Sequence, residues 1–322
     1  MADPAATRGS AAVAPHPPQL REAKAETMTT ILITTANGAT GRPMVDYLLK
    51  AGFHVRAMVR SDDERARELR EAGAEVALGD LLDLRDVRAA LKGVRRAYFN
   101  YPVGDGLVEA AVMFAQAAKE QDLELVVNMS QIQSRPDARS KTTQNHWLSE
   151  QVLDWSGVPV THLRVTFFMQ WLLYISGLIR RGRYVMPFDG DSRFAPIAGR
   201  DIALTAANIF ASPEEHAGQI HTLTGPVEYS HQQLAEEVGR VLGKDIPYEQ
   251  VTVTTFLELI GLESDTVKRK HFEAVTIDQR EGRLAGVSDA AASINGGPLV
   301  TVEEFVNENR SRFEFDPATS TS

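Results

Sequence analysis

Three groups of residues in this chain of 322 amino acids have types and spacing that could do chemistry. The first is Thr35-x-x-Gly38-x-x-Gly41, set between a β-branched run that begins at Thr30 and an amphipathic segment with Val45, Leu48 and Leu49 on one face. Gly38 and Gly41 allow close approach of a ligand to the backbone, and Pro43 falls in a first helical turn, where its missing N–H costs nothing. Free amides and the positive end of the helix dipole then suit a pyrophosphate in the loop that includes Asn37, Ala39 and Thr40. The usual three-glycine fingerprint has glycine where Thr35 stands, and an ordinary tight strand-to-helix turn without a ligand fits the same pattern. The second is Arg60, nineteen residues after Gly41 at the end of a second alternating run. NADP enzymes favour a cation there, since a guanidinium can grip a phosphate monoester with two hydrogen bonds; the alternative is a solvated arginine at a strand end. The third is His146 with Glu150, an i,i+4 pair on one helical face. A carboxylate beside imidazole would favour imidazolium, making His146 a cationic proton donor near neutral pH; a solvent-facing pair without consequence is the competing reading.

The elements that must position these residues alternate regularly. Strands are expected from Thr30, over residues 54–60, 75–79, 96–100, 123–129 and 160–164, with helices between them, one opening on a capping box at residues 61–64 and one capped by Asp83. Six such units predict an α/β fold, a doubly wound parallel sheet. Beyond residue 164 the rhythm breaks into fifteen mostly apolar residues, 165–179, too short to span a membrane. They read either as a buried helix or lid, or as an apolar wall for a small-molecule substrate, with Phe167, Phe168 and Trp171 as its members. Further on, Asp201 is expected to cap a helix to Phe210, residues 219–223 to form a strand, and Ser230 with Gln233 to form a capping box; the rest is largely helical. The expected organisation is a tail of residues 1–27, with Met28 as a possible natural start, a dinucleotide-binding domain over 28–164, and a smaller C-terminal substrate region over 165–322 packed on it.

Composition narrows the classes. A net charge of −9 offers no basic field for nucleic acid, and the 24% charged content is that of a soluble globular protein. The first 27 residues hold no apolar run for secretion and no acid-poor transit pattern. No cysteine occurs, so disulfides, thiolate metal sites and thiol nucleophiles are excluded, as fits a reducing cytoplasm. Eight scattered histidines lack the paired spacing of a zinc site, and no metal is expected.

Taken with the loop, residues 79–81 (Gly-Asp-Leu), the run from His146 through Glu150 to residues 156–169, and residues 223–230 (Leu-Thr-Gly-Pro-Val-Glu-Tyr-Ser) resemble the NmrA-like atypical short-chain dehydrogenase/reductases, over residues 29–315. That family includes isoflavone-reductase-like and quinone- or dye-reducing enzymes. The resemblance implies NADP(H) on a Rossmann domain, with NADH the poorer cofactor. It implies Gly38 and Gly41 at the pyrophosphate, Arg60 at the 2′-phosphate, Asp80 and Leu81 at the adenine, and Asn100, Tyr101, Pro102, Met129 and Ser130 along the cofactor. Thr35 and Val165 depart from the family's usual glycine and proline. Typical short-chain dehydrogenases carry tyrosine and lysine four residues apart; His146 and Glu150 fill that spacing here. Ser130 either ends its strand or bonds substrate, and Asp80 either ends its strand or meets adenine.

Two functions from different classes follow: an NADPH-dependent reductase acting on a quinone, enone or dye, or a non-catalytic NADP(H) sensor that changes its affinity for a protein partner. The missing tyrosine–lysine pair favours the sensor, and the apolar segment 165–179 favours the enzyme. An isomerase or dehydratase on the same fold is the third.

Overall fold

The computed structural model describes residues 29–314; the expectations for residues 1–27 and for a start at Met28 lie outside the described residues. The chain runs β1 (Thr30–Ile33), α1 (Gly41–Lys50), β2 (His54–Val59), α2 (Glu64–Glu71), β3 (Glu75–Leu78), α3 (Leu84–Leu91), β4 (Arg96–Phe99), α4 (Leu107–Glu120), β5 (Leu125–Gln131), α5 (Lys141–Trp155) and β6 (Val160–Val165). Two short helices follow, α6 (Trp171–Tyr174) and α7 (Ser176–Ile179), then β7 (Tyr184–Met186), β8 (Arg193–Phe194), α8 (Gly199–Ala211), α9 (Pro213–His216) and β9 (Ile220–Leu223). The remainder is β10 (Tyr229–Ser230), α10 (His231–Leu242), β11 (Tyr248–Gln250), α11 (Val253–Leu259), α12 (Thr266–Arg280), α13 (Ala290–Asn295), α14 (Val302–Glu308) and α15 (Arg310–Phe313).

Among the described residues, seven strands form one parallel sheet in the order β3-β2-β1-β4-β5-β6-β9. Its central strands read as continuous apolar runs because helices cover both faces; Ala97, Tyr98 and Phe99 of β4 are fully buried. Met44, Val45 and Leu48 of α1 pack with Ile202 and Ile209 of α8 against Ile31 and Ile33 on one face. Val87, Phe114 and Leu153 from α3, α4 and α5 pack against Leu32 and Val126 on the other. A third core, around Phe188, Phe256, Phe272 and Phe305, lies under the C-terminal helices. Strand order reverses between β1 and β4, so the loops leaving their C-terminal ends diverge and open a crevice, the usual ligand position in such sheets.

The expected strand over residues 219–223 joins this sheet as β9, bonded to β6, and α8 covers α1, so the sheet and its layers use residues on both sides of position 164. Two caps differ from expectation. The signal at residues 61–64 is not a Ser61 capping box: Asp63 caps α2, its carboxylate accepting from the Arg65 and Ala66 amides. Asp201 is no N-cap either. It is the third residue of α8, within its first turn and buried, where Oδ2 accepts from the Val300 amide at 2.9 Å, and burial pushes its carboxyl up to about 6. A polar residue before an apolar run signals a cap only if it stays at the end of the helix, and a long-range backbone donor overrode that here. The Ser230–Gln233 capping box forms as expected. Among the described residues no helix is long and apolar enough to cross a membrane.

Candidate active site

At the crevice, Thr35 takes φ +49°, the left-handed conformation that glycine would adopt more easily. This turn brings Gly41 so close that an added Cβ would lie 2.4 Å from the Thr35 carbonyl oxygen and 2.8 Å from Ala36 Cα, and one on Gly38 would lie 3.1 Å from the same oxygen. Gly38 N–H closes the turn onto Thr35 O at 2.9 Å. Among the described residues, the amides of Asn37, Ala39 and Thr40 donate to no protein acceptor. Unpaired amides clustered at the start of α1, on a backbone that glycine leaves open, are what a diphosphate requires, so the loop fits the group that the sequence suggested.

The loop is braced from β4. Thr40 Oγ1 lies 3.1 Å from the hydroxyl of the fully buried Tyr98, whose phenol is pushed up by desolvation. Asn100 donates through Nδ2 to Thr35 Oγ1 at 3.0 Å and through its backbone to Thr34 Oγ1 at 2.8 Å. Beyond Asn100 come half-buried Tyr101 and exposed Pro102. Tyr101 is raised by burial and by the Asp80 charge, and its hydroxyl would meet a Cβ at Gly106, which has φ +97°.

Arg60 follows β2 with a side chain 80% exposed, 3.5 Å from Asp80 Oδ2. Asp80 also terminates its strand: its amide donates to Asp86, and Oδ1 accepts from Leu82. Leu81 is buried against α3. Arg60, Asp80 and the loop thus share one side of the crevice, with an acid beside the cation.

The expected His146–Glu150 pair does not form. Glu150 is 1% exposed and accepts from Ser130 Oγ at 2.5 Å and from Arg164 Nε and Nη2 at 3.1 and 2.6 Å, tying α5 to β5 and β6. Arg164 supplies the counter-charge that had been assigned to imidazole, and it outcompetes a histidine because it is permanently charged and bidentate. His146 is 5% exposed with neither ring nitrogen partnered. Desolvation, then His271, lowers it to about 3, so the ring is neutral near pH 7 and the expected cationic donor is corrected to a neutral imidazole. His271 of α12, itself lowered to about 4 by burial, contacts Ser140 Oγ through Nδ1 at 2.8 Å. Ser130 is buried on Glu150, beside Met129 in β5.

Past β6, Phe167 and Phe168 turn to different cores. Phe167 stacks edge-on with Trp171, Phe188 and Phe194, whereas Phe168 bridges to Ile197 and packs on the sheet. Both, with Trp171, line an apolar cavity of about 20 Å³ that Tyr184, Phe194 and His231 complete. His231 is 1% exposed, lowered to about 4 by burial, and bonds Gln279 Oε1 at 2.8 Å. Sequence reasoning missed Tyr98, Arg164, His231 and His271. Only Arg164 left a signal, a guanidinium inside a predicted strand of a doubly covered sheet, which needs a carboxylate when buried.

The chain resembles known proteins along most of its length. The NAD(P)H azoreductase of Xenophilus azovorans is 29% identical over 287 residues, 88% of this chain and 99% of the azoreductase. Among solved structures, the NADPH-dependent quinone oxidoreductase of Escherichia coli complexed with NADPH has a TM-score of 0.75 at 23% identity, covering 87% of this chain and 99% of that one. NmrA, a negative transcriptional regulator in complex with NADP, gives 0.73 at 20%, covering 88% and 95%. The NmrA-like family matches residues 27–305, and the protein belongs to that family.

Proposed function

We propose that this chain is a cytoplasmic NADPH-dependent reductase that delivers hydride to a small aromatic or conjugated acceptor of the quinone, enone or dye class. The observation that carries the cofactor is the trio of unpaired amides at Asn37, Ala39 and Thr40, on a backbone opened by Gly38 and Gly41. NADPH, when bound, supplies the hydride. Arg60 holds the 2′-phosphate, the loop amides hold the pyrophosphate, and the apolar side chains at Phe167, Phe168 and Trp171 exclude water from one wall. The azoreductase and quinone oxidoreductase relatives support the acceptor class. A screen of NADPH oxidation against quinones, enones and azo dyes tests the reading; no turnover on any of them favours the sensor.

Two substitutions divide the roles. Arg60→Ala should raise the dissociation constant for NADPH by about tenfold while leaving NADH unchanged, the scale of one charge-assisted hydrogen bond on an exposed side chain. Equal affinities of the parent for the two cofactors would remove the assignment.

His146 is proposed to present a neutral ring N–H to the acceptor. Two unpartnered nitrogens on a buried ring cost stability, and such a group in a folded protein calls for a functional reason. His146→Phe should leave the melting temperature equal or higher and lower turnover by about 10²-fold, the small end of the range for a positioned proton donor. Full turnover in that variant would sink the role. The sensor alternative draws on the same site: Glu150 is committed to Arg164, so no charged relay backs His146, and NmrA shares the fold.

A further inference from the structure

Resting on the cofactor reading above, the geometry points to the Thr35 hydroxyl as a hydrogen-bond donor to the diphosphate, set in place by Asn100, so that this chain has exchanged a glycine's freedom for a cofactor contact. Thr35 occupies a left-handed position that disfavours a β-branched residue, yet it is the residue present, at φ +49°. Its tolerance needs a compensating interaction, and the structure supplies one: Asn100 Nδ2 donates to Thr35 Oγ1 at 3.0 Å.

The direction of that bond matters. An amide N–H can only donate, so Thr35 Oγ1 is the acceptor and the hydroxyl keeps its own proton for another partner. Asn100 is itself fixed, because its backbone amide donates to Thr34 Oγ1 at 2.8 Å and its carbonyl accepts from that hydroxyl at 3.1 Å. Thr34 in turn is fully buried and anchored to Tyr98 O at 3.0 Å. The ends of β1 and β4 are thereby locked across the strand-order reversal, with one proton left over. Thr35 is half-buried, and the loop amides of Asn37, Ala39 and Thr40 that lack protein acceptors follow it directly. An anion gathered by those amides is the acceptor that the Thr35 proton lacks.

A purely structural role would make Thr35 and Asn100 matter for stability and not for affinity. The test therefore measures both, on the full chain, as NADPH dissociation constant and as melting temperature without cofactor. Thr35→Val keeps the branched shape and removes the hydroxyl; it should weaken NADPH by roughly ten- to a hundredfold, the scale of a hydrogen bond to a charged group. Thr35→Ser should restore affinity to within a few-fold. Asn100→Ala should lose affinity as well, and adding it to Thr35→Val should lose little more, because both act through one hydroxyl. NADPH affinity unchanged in Thr35→Val while the parent binds tightly would overturn this inference and leave the cofactor reading standing, as would Ser and Val variants that bind alike. A parent that binds neither NADPH nor NADP+ would overturn the cofactor reading, and this inference with it.

Discussion

Lowering the pH from 7 to 5 should remove about 4 kcal/mol of stability through two histidines, a large share of the roughly 5–15 kcal/mol that holds a domain. His146 and His231 are buried and neutral, lowered to about 3 and about 4 in the fold. In the unfolded chain each titrates near its ordinary value of about 6.5. Above that value neither state is protonated and pH has no effect. Below it the unfolded chain binds protons that the folded chain refuses until pH 3 to 4, so stability falls steadily through that window. At pH 5 the unfolded state has gained about 1.5 pH units on each site, about 2 kcal/mol apiece. Asp201 works the other way. Its folded value of about 6 lies above its ordinary one, so protonation on the way to pH 5 returns about 1 kcal/mol. Carboxylates with lowered values, such as Asp83 and Glu120, lose their contribution only below their ordinary range near pH 4, outside this window. Urea unfolding at the two pH values measures the fall; His271, lowered to about 4 by burial, adds a share of the same sign, and His146→Phe should remove only its own part of about 2 kcal/mol. Equal stability at pH 7 and pH 5 would mean that the rings are hydrated and not buried as described.

These histidines show where sequence reading stopped. The parallel sheet was legible because strands buried on both faces leave continuous apolar runs, and most element bounds fall within two residues of those expected. The loop was legible because Gly41 is demanded by backbone contact with Thr35, which spacing alone encodes. Partner choice was not. Residues 146 and 150 share a helical face, but β6 runs beside α5, and a permanent cation at Arg164 claims the carboxylate from outside the helix. Phe167 and Phe168 are adjacent in sequence and belong to different cores, a split that depends on how β6 ends against α8 and the C-terminal helices. Local spacing fixes which groups can meet; tertiary competition decides which do.

Glu150→Ala should then cost about 3–5 kcal/mol, the range for removing one partner of a buried ion pair. The carboxylate is 1% exposed and accepts three hydrogen bonds, one from Ser130 and two from Arg164, whose guanidinium is raised by that bonding. Removing it strands a cation that is only about one-quarter exposed, and strands the Ser130 hydroxyl with it. Arg164→Leu added to Glu150→Leu should recover much of the loss, because two apolar side chains leave no uncompensated charge. Denaturant unfolding of the single and double variants gives the coupling directly. The same network ties α5 to the C-terminal ends of β5 and β6, through Ser130 and Arg164. If Glu150→Ala cost less than about 1 kcal/mol, the figure for an exposed pair, water would have to reach Arg164 and the network would not be the closed one described.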